Sequence, residues 1–202
     1  MENRIVAIMP AAGASRRMGC CKQLLPLGCR PVIVCCLEAV LNAGLQDVLV
    51  VTGANGEAVA AAISHLPVKI VRNQAAAGDM AESVRTGLGA IADRCTGVMI
   101  CLADQPLVGS DTYRDLQQRH TAGPHEILIP TFRGKRGHPT VFPVGLLNQL
   151  LAGGTLRDVI HTNQHAIRQI ELPDSGVVRD MDIISDYEAM KIHFTTLVRA
   201  PG

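Results

Sequence analysis

An α/β architecture, with a mainly parallel twisted sheet, helices on both faces and a small antiparallel excursion, is what this sequence predicts. Three observations carry that expectation. A chain of 202 residues, 48% hydrophobic and without a long charged or polar tract, suits one compact domain over 1–202 with a sizeable core. Short β-branched runs alternate with stretches of three-and-four apolar spacing, the pattern of strand–helix–strand units in a parallel sheet. The loop leaving the first apolar run is built of small and basic residues, and the loop after a strand is where open parallel sheets take ligands.

Taken in order, Ile5 to Met9 reads as the first strand and Pro10 to Lys22 as the loop that follows it. In that loop Ala11, Ala12, Gly13, Ala14 and Ser15 let backbone amides close on a phosphate chain as an anion nest. Arg16, Arg17 and Lys22 add cationic side chains, so the loop is suited to gripping a nucleoside triphosphate. Gln23 to Leu27 is a second short apolar segment. Val32 to Ala43 has helical spacing and stops at Gly44, and Asp47 to Thr52 completes a βαβ unit. Asn55 to His65 is the next helix, with Asn55 as N-cap, and Val68 to Val71 the next strand. Ala75-Ala76-Ala77-Gly78-Asp79 is too small to be core and opens a helix from Met80 to Ala92. With Ser83 and Arg85 near the helix start, this turn reads either as a second rim of a nucleotide pocket or as an ordinary capped loop.

Gly97 to Leu102 is a buried central strand, and Ala103-Asp104-Gln105-Pro106 lies at its carboxyl end. A carboxylate at such a tip faces the ligand crevice and suits a divalent cation held against phosphates. Asp104 is less well placed to cap the helix from Ser110 to Thr121, for which Ser110 or Asp111 is the better cap. Ile127 to Thr131 is a strand, followed by the basic turn Arg133 to Pro139 and by Thr140-Val141-Phe142, a hairpin or excursion. His138, between Gly137 and Pro139, suits either orienting an acceptor group or a structural hydrogen bond. A short helix from Val144 to Leu151, a break at Gly153-Gly154 and a helix from Leu156 to Thr162 are expected to cap the acceptor side. Ile167 to Leu172 is a strand, Val177 to Asp182 an extended lead, and Ser185 to Ile192 a terminal helix. Asp180 and Asp182, two apart on an extended segment, share a face; either one brings a second carboxylate to the cation or is plain surface.

Composition excludes several classes. A net charge of +1 provides no global field for nucleic acid. Three Phe, two Tyr and no Trp leave little for base stacking. Every apolar run falls short of the roughly 20 residues of a membrane span, and the first residues do not read as a secretory signal, which predicts a cytoplasmic protein away from membranes. Seven cysteines without C-x-x-C pairs read as reduced thiols rather than a zinc site. Cys20 and Cys21 stand apart, because neighbouring basic residues are expected to lower a thiol pKa and make oxidation easier there.

Together, Ala11-Ala12-Gly13 through Arg17-Met18-Gly19 and Lys22, then Gly78 to Gly87 with Ser83, Ala103-Asp104-Gln105-Pro106, Gly137-His138-Pro139, and Asp180-Met181-Asp182 ahead of Asp186-Tyr187, resemble the molybdopterin-type nucleotidyltransferases. The resemblance is greatest to the molybdenum cofactor cytidylyltransferase-like group, and the motifs span nearly the whole chain in the family's order. It implies a Rossmann-like three-layer nucleotidyltransferase fold, a nucleoside triphosphate donor and Mg²⁺. Gly13, Arg17 and Lys22 would bind the triphosphate, and Asp104 and Asp182 would ligate the metal. The acceptor would be the terminal phosphate of a molybdopterin-type cofactor, with pyrophosphate released, and a molybdoenzyme is an expected partner. The Ala-Ala-Gly loop resembles cytidylyl donors and favours CTP over GTP.

Some residues depart from the pattern. Pro10 with Lys22-Gln23 also resembles the cytidylyltransferases acting on methylerythritol phosphate, although Asp104-Gln105-Pro106 and Gly137-His138-Pro139 do not fit that group. Gly153-Gly154-Thr155-Leu156-Arg157 and Ile183-Ile184 replace the family's usual residues on the acceptor side. Two rival functions follow: a non-catalytic protein that binds nucleotide or chaperones a pterin cofactor, and a sugar- or alditol-phosphate nucleotidyltransferase on the same fold. Retention of both Asp104 and Asp182 favours catalysis over binding alone.

Overall fold

The computed structural model describes residues 4–13, 18–53, 56–74, 79–92 and 94–199, the side chains of 195–199 excepted. Strand β1 (Ile5–Ala11) leads to a 3₁₀ turn at Lys22–Leu24 and a small antiparallel hairpin of β2 (Pro26–Leu27) and β3 (Arg30–Pro31). Helix α1 (Val32–Asn42) precedes β4 (Val48–Thr52), α2 (Gly56–Ile63) precedes β5 (Lys69–Arg72), and α3 (Met80–Gly89) precedes β6 (Gly97–Ile100). After α4 (Ser110–Ala122) come β7 (Ile127–Phe132), β8 (Lys135–Arg136) and β9 (Thr140–Pro143). The described chain continues through α5 (Asn148–Leu151), α6 (Leu156–Thr162), β10 (Ile167–Glu171) and α7 (Ile184–Arg199).

The strands form a sheet in the order β10-β7-β9-β6-β1-β4-β5, with β8 paired to β7. β1 runs parallel to β4 and β6, β4 to β5, and β7 to β10, whereas β9 is antiparallel to both of its neighbours. The expected antiparallel excursion is therefore internal: β9 is wedged between β6 and β7, and β7 regains the parallel direction. β1 explains why the sheet carries helices on both faces. Ile5, Ala7, Met9 and Ala11 enter a core shared with α1, α2, α4 and α7, while Val6 and Ile8 enter a second core with α3, α5 and α6. That is a period-two strand apolar on both sides, as a central parallel strand requires.

The order of strands also creates the crevice. From β1 the chain builds outward through β4 and β5, then returns to β6 on the other side of β1. Loops leaving β1 and β6 consequently diverge, and an open α/β sheet binds ligands at such a switch point.

Several boundaries differ from the sequence expectations for identifiable reasons. Neither Ser110 nor Asp111 caps α4. Gly109 is its N-cap residue, and Asp174, 65 residues on, accepts from the Gly109 amide at 2.9 Å and from Thr112 Oγ1 at 2.6 Å. The segment expected to be extended from Val177 begins inside a 3₁₀ turn, Ser175–Val178, whose entry Asp174 also caps through the Gly176 amide. Val144–Leu147 is 3₁₀ before α5, α3 ends at Gly89, and α7 runs to Arg199. Asn55, the expected cap of α2, lies outside the described residues.

Candidate active site

Four distant segments meet at the carboxyl ends of β1 and β6. Pro10 at the end of β1, Ala12 and Gly13 from the first loop, Lys22 and Gln23 from the following turn, Leu102 to Asp104, Asp79, Met80 and Ser83 at the start of α3, and Asp180 and Asp182 border a cleft of about 280 Å³. Ala11 points away from it, 5% exposed in the core beneath β1. Ser83 is buried on α3, one turn behind Asp79, whose carboxylate caps the helix through the Glu82 amide at 2.8 Å. Ala14, Ser15, Arg16, Arg17 and Gly78 lie outside the described residues.

Lys22 is the centre of the arrangement. Its Nζ donates to Asp104 Oδ2, to the Met181 carbonyl at 2.9 Å and to Asp182 Oδ1 at 3.3 Å. Burial opposes the ammonium charge, yet the carboxylates of Asp104 and Asp182 outweigh it and hold the Lys22 pKa above its ordinary value. The side chains of Lys22 and Asp104 retain only 15% and 16% exposure, against 34% for Asp182, so Asp182 forms the wetter wall. Oxygens from two carboxylates and a carbonyl gathered around one positive charge form a donor set that suits a hard divalent cation such as Mg²⁺ or Mn²⁺. Asp104 and Asp182 therefore fit the ligand role. No group of three or more His, Cys, Asp or Glu side chains could enclose a metal among the described residues. Such a site leaves coordination positions for substrate oxygens, as Mg²⁺ sites on phosphates do.

Backbone contacts hold the two aspartates together. A Cβ on Gly137 would lie 2.0 Å from the Val177 carbonyl oxygen, and one on Gly176 would lie 2.3 Å from that of Leu107. Only glycine admits these approaches, and they press the segment bearing Asp180 and Asp182 between the β7–β9 excursion and the loop after Asp104. The His138 amide completes the contact by donating to the Val177 carbonyl at 2.9 Å. Asp186 Oδ2 accepts from the amides of Asp182 and Ile183 at 3.0 and 2.9 Å and so fixes the entry to α7. Tyr187 then donates to the Pro26 carbonyl at 2.5 Å, tying α7 to the hairpin beside Lys22.

His138 is half-buried and is not among the residues bordering the cleft. Burial pushes its imidazole below the ordinary value, against the pull of Asp104, a hydrogen bond to the Ile100 backbone and Asp180. Its Nδ1 lies 3.5 Å from Thr140 Oγ1. The basic turn beside it is shaped by Glu171, which accepts from Thr131 Oγ1 and the Arg133 amide at 2.6 Å.

Gln23, Met80 and Leu102 were not picked out from the sequence. Gln23 had a signal, a lone amide heading an apolar run, and it is 3% exposed. The expectation of a lowered thiol pKa is corrected at Cys21, where burial raises it. Its basic neighbour Lys22 is committed to the aspartates, which leaves little positive field for a thiolate. The seven cysteines are free thiols, as expected. No helix among the described residues is long and apolar enough to cross a membrane.

A cleft of about 280 Å³ at the switch point of this sheet, lined by small residues of the first loop, a lysine and aspartates, defines a nucleotidyltransferase. Residues 7–169 match the family described as the MobA-like NTP transferase domain, and the chain belongs to that family. It is 32% identical to nicotine blue oxidoreductase of Paenarthrobacter nicotinovorans, over 70% of this chain and 72% of that one. It is 31% identical to 2-C-methyl-D-erythritol 4-phosphate cytidylyltransferase of Symbiobacterium thermophilum, over 61% of this chain and 53% of that one, so it spans about half of that relative. Among solved structures, a nucleotidyl transferase from Methanothermobacter thermautotroptrophicus superposes with a TM-score of 0.84 at 26% identity, covering 96% of this chain and 99% of the other. A Mycobacterium tuberculosis H37Rv protein in complex with manganese gives a TM-score of 0.79 at 26% identity, covering 94% and 98%.

Proposed function

We propose that the protein transfers CMP from CTP to the terminal phosphate of a molybdopterin-type acceptor, releasing pyrophosphate, in a Mg²⁺-dependent reaction. The observation that carries this reading is the meeting of Lys22, Asp104 and Asp182 across the cleft. An acceptor phosphate oxygen attacks the α-phosphorus, the bond to the bridging oxygen breaks, and pyrophosphate leaves with that electron pair. Both reactants are anions, so positioning and charge neutralisation supply most of the catalysis, and an ionised acceptor phosphate needs no general base. Ala12, Gly13 and Ser83 border the cleft and would face the triphosphate, and Lys22 would supply countercharge; by the resemblance, Arg17 would add to it. Asp104 and Asp182 would hold the divalent ion, which neutralises phosphate charge and keeps the reacting groups in line. His138, on the acceptor side of Asp104, orients the acceptor.

CTP is favoured by the Ala-Ala-Gly loop and by likeness to a relative named as a cytidylyltransferase. The manganese complex of a structural neighbour supports a divalent ion. The test is pyrophosphate release with CTP, GTP or ATP, Mg²⁺ and a molybdopterin-type acceptor. Release that is fastest with CTP supports the reading, and no release with any pair counts against it.

One finding favours a second reading. The relative named nicotine blue oxidoreductase is matched over 70% of this chain, so a redox reaction on the same nucleotide-binding scaffold is the alternative. Reduction of nicotine blue by a supplied reductant in the presence of the protein, without pyrophosphate release, would select it.

A further inference from the structure

We propose that Lys22 and a divalent cation are mutually exclusive occupants of one oxygen cage, so that metal and triphosphate bind as a linked pair. The inference rests on Asp104 and Asp182 being the metal ligands. Nζ of Lys22 already has Asp104 Oδ2, the Met181 carbonyl and Asp182 Oδ1 as acceptors. A cation ligated by these same oxygens, Asp104 Oδ2 and Asp182 Oδ1, at roughly 2.0–2.6 Å would sit in the volume that this ammonium fills. Two positive charges at that separation in a mostly buried site repel strongly, so one must leave. Lys22 has a flexible four-carbon stem and lines the cleft beside the small-residue loop, so a triphosphate there can draw its ammonium away. Each phosphate contact that Lys22 makes frees the two carboxylates for the cation. By reciprocity, the cation drives Lys22 toward the phosphates.

The consequence is a metal site that is weak for the ion alone and strong for the ion with its nucleotide. Lys22→Met keeps an unbranched side chain of nearly the same length and removes its charge. Mn²⁺ binding without nucleotide, followed by the electron paramagnetic resonance of free Mn²⁺, should tighten on the order of tenfold or more in this variant. Adding Asp104→Asn to the same chain should abolish the gain. Unchanged or weaker binding in Lys22→Met overturns the exclusion. The metal site itself stands in that case if Asp104→Asn alone weakens Mn²⁺ binding to the wild type. A gain that survives Asp104→Asn places the ion elsewhere and overturns both.

Because Lys22→Met leaves facing carboxylates without their shared cation and risks misfolding, a measurement on the wild type complements it. Acylation of lysine amines, read by peptide mass spectrometry, should speed up at Lys22 when Mn²⁺ is added, relative to Lys69 and Lys135. Equal or slower labelling at Lys22 overturns the proposal.

Discussion

At Asp104 the chain places a carboxylate where a buried strand ends, and Lys22 reaches it from 82 positions earlier in the sequence. In the proposed reaction Lys22 would hold phosphate from binding through transfer, so removing the ammonium should harm both binding and chemistry. Lys22→Ala is expected to lower kcat/KM for the triphosphate by roughly 10²-fold, the worth of one charge-assisted contact in a partly wet site. Steady-state kinetics with varied nucleotide check this, and unchanged constants would remove Lys22 from the site. His138 stands apart from the cleft wall, and burial lowers its imidazole pKa below the ordinary value. His138→Ala should therefore raise KM for the acceptor while leaving nucleotide affinity nearly intact. Equal losses on both sides would contradict that division. The candidate residues were legible because strand-end acids and small-residue loops are local patterns. Lys22's commitment to Asp182 was not, since no local pattern reveals a contact across 160 positions.

Among the elements, β6 and α4 meet through an unusual pair. His120 near the end of α4 is fully buried, its Nε2 lies 3.1 Å from Thr96 Oγ1, and its Nδ1 has no hydrogen-bond partner among the described residues. The ring rests on Gly97, where a Cβ would come within 2.5 Å of Nε2. Gly97→Ala should cost about 1–3 kcal/mol by overpacking, measured by urea denaturation. Burial, with the nearby His125, pushes the His120 pKa down. Above the ordinary histidine value of about 6.5 the ring is neutral in both states and adds no pH dependence. As the pH falls below that, the unfolded chain takes up a proton that the native ring refuses, so stability falls. His138 is shifted the same way and adds to the effect. Denaturation at pH 7.5 and 5.5 should show a smaller acid loss in His120→Asn than in the wild type, and an equal loss would contradict this. Sequence periodicity located nearly every helix and strand, but it missed the cap of α4 and the insertion of β9 between β6 and β7. Both depend on partners far along the chain: Asp174 for the cap, and the pairing of β9 with two strands at once.

On the scale of the whole molecule, strand order turns scattered residues into one site. Because β6 lies directly beside β1, the segments that leave these two strands border one cleft, and the segment 175–182 closes the third side by pressing on Gly137 and Leu107. The fold class was legible from alternation alone, and motif order pointed to the family. The closure of the site was not legible, because glycines at 137 and 176 become informative only once the carbonyls opposite them are known. The most direct test of the proposed chemistry compares pyrophosphate release by the wild type and Asp104→Asn, with CTP, Mg²⁺ and a molybdopterin-type acceptor, alongside circular dichroism of both proteins. Retained fold with release reduced on the order of 10²-fold or more is the expected result. An Asp104→Asn protein that releases pyrophosphate at the wild-type rate would contradict it.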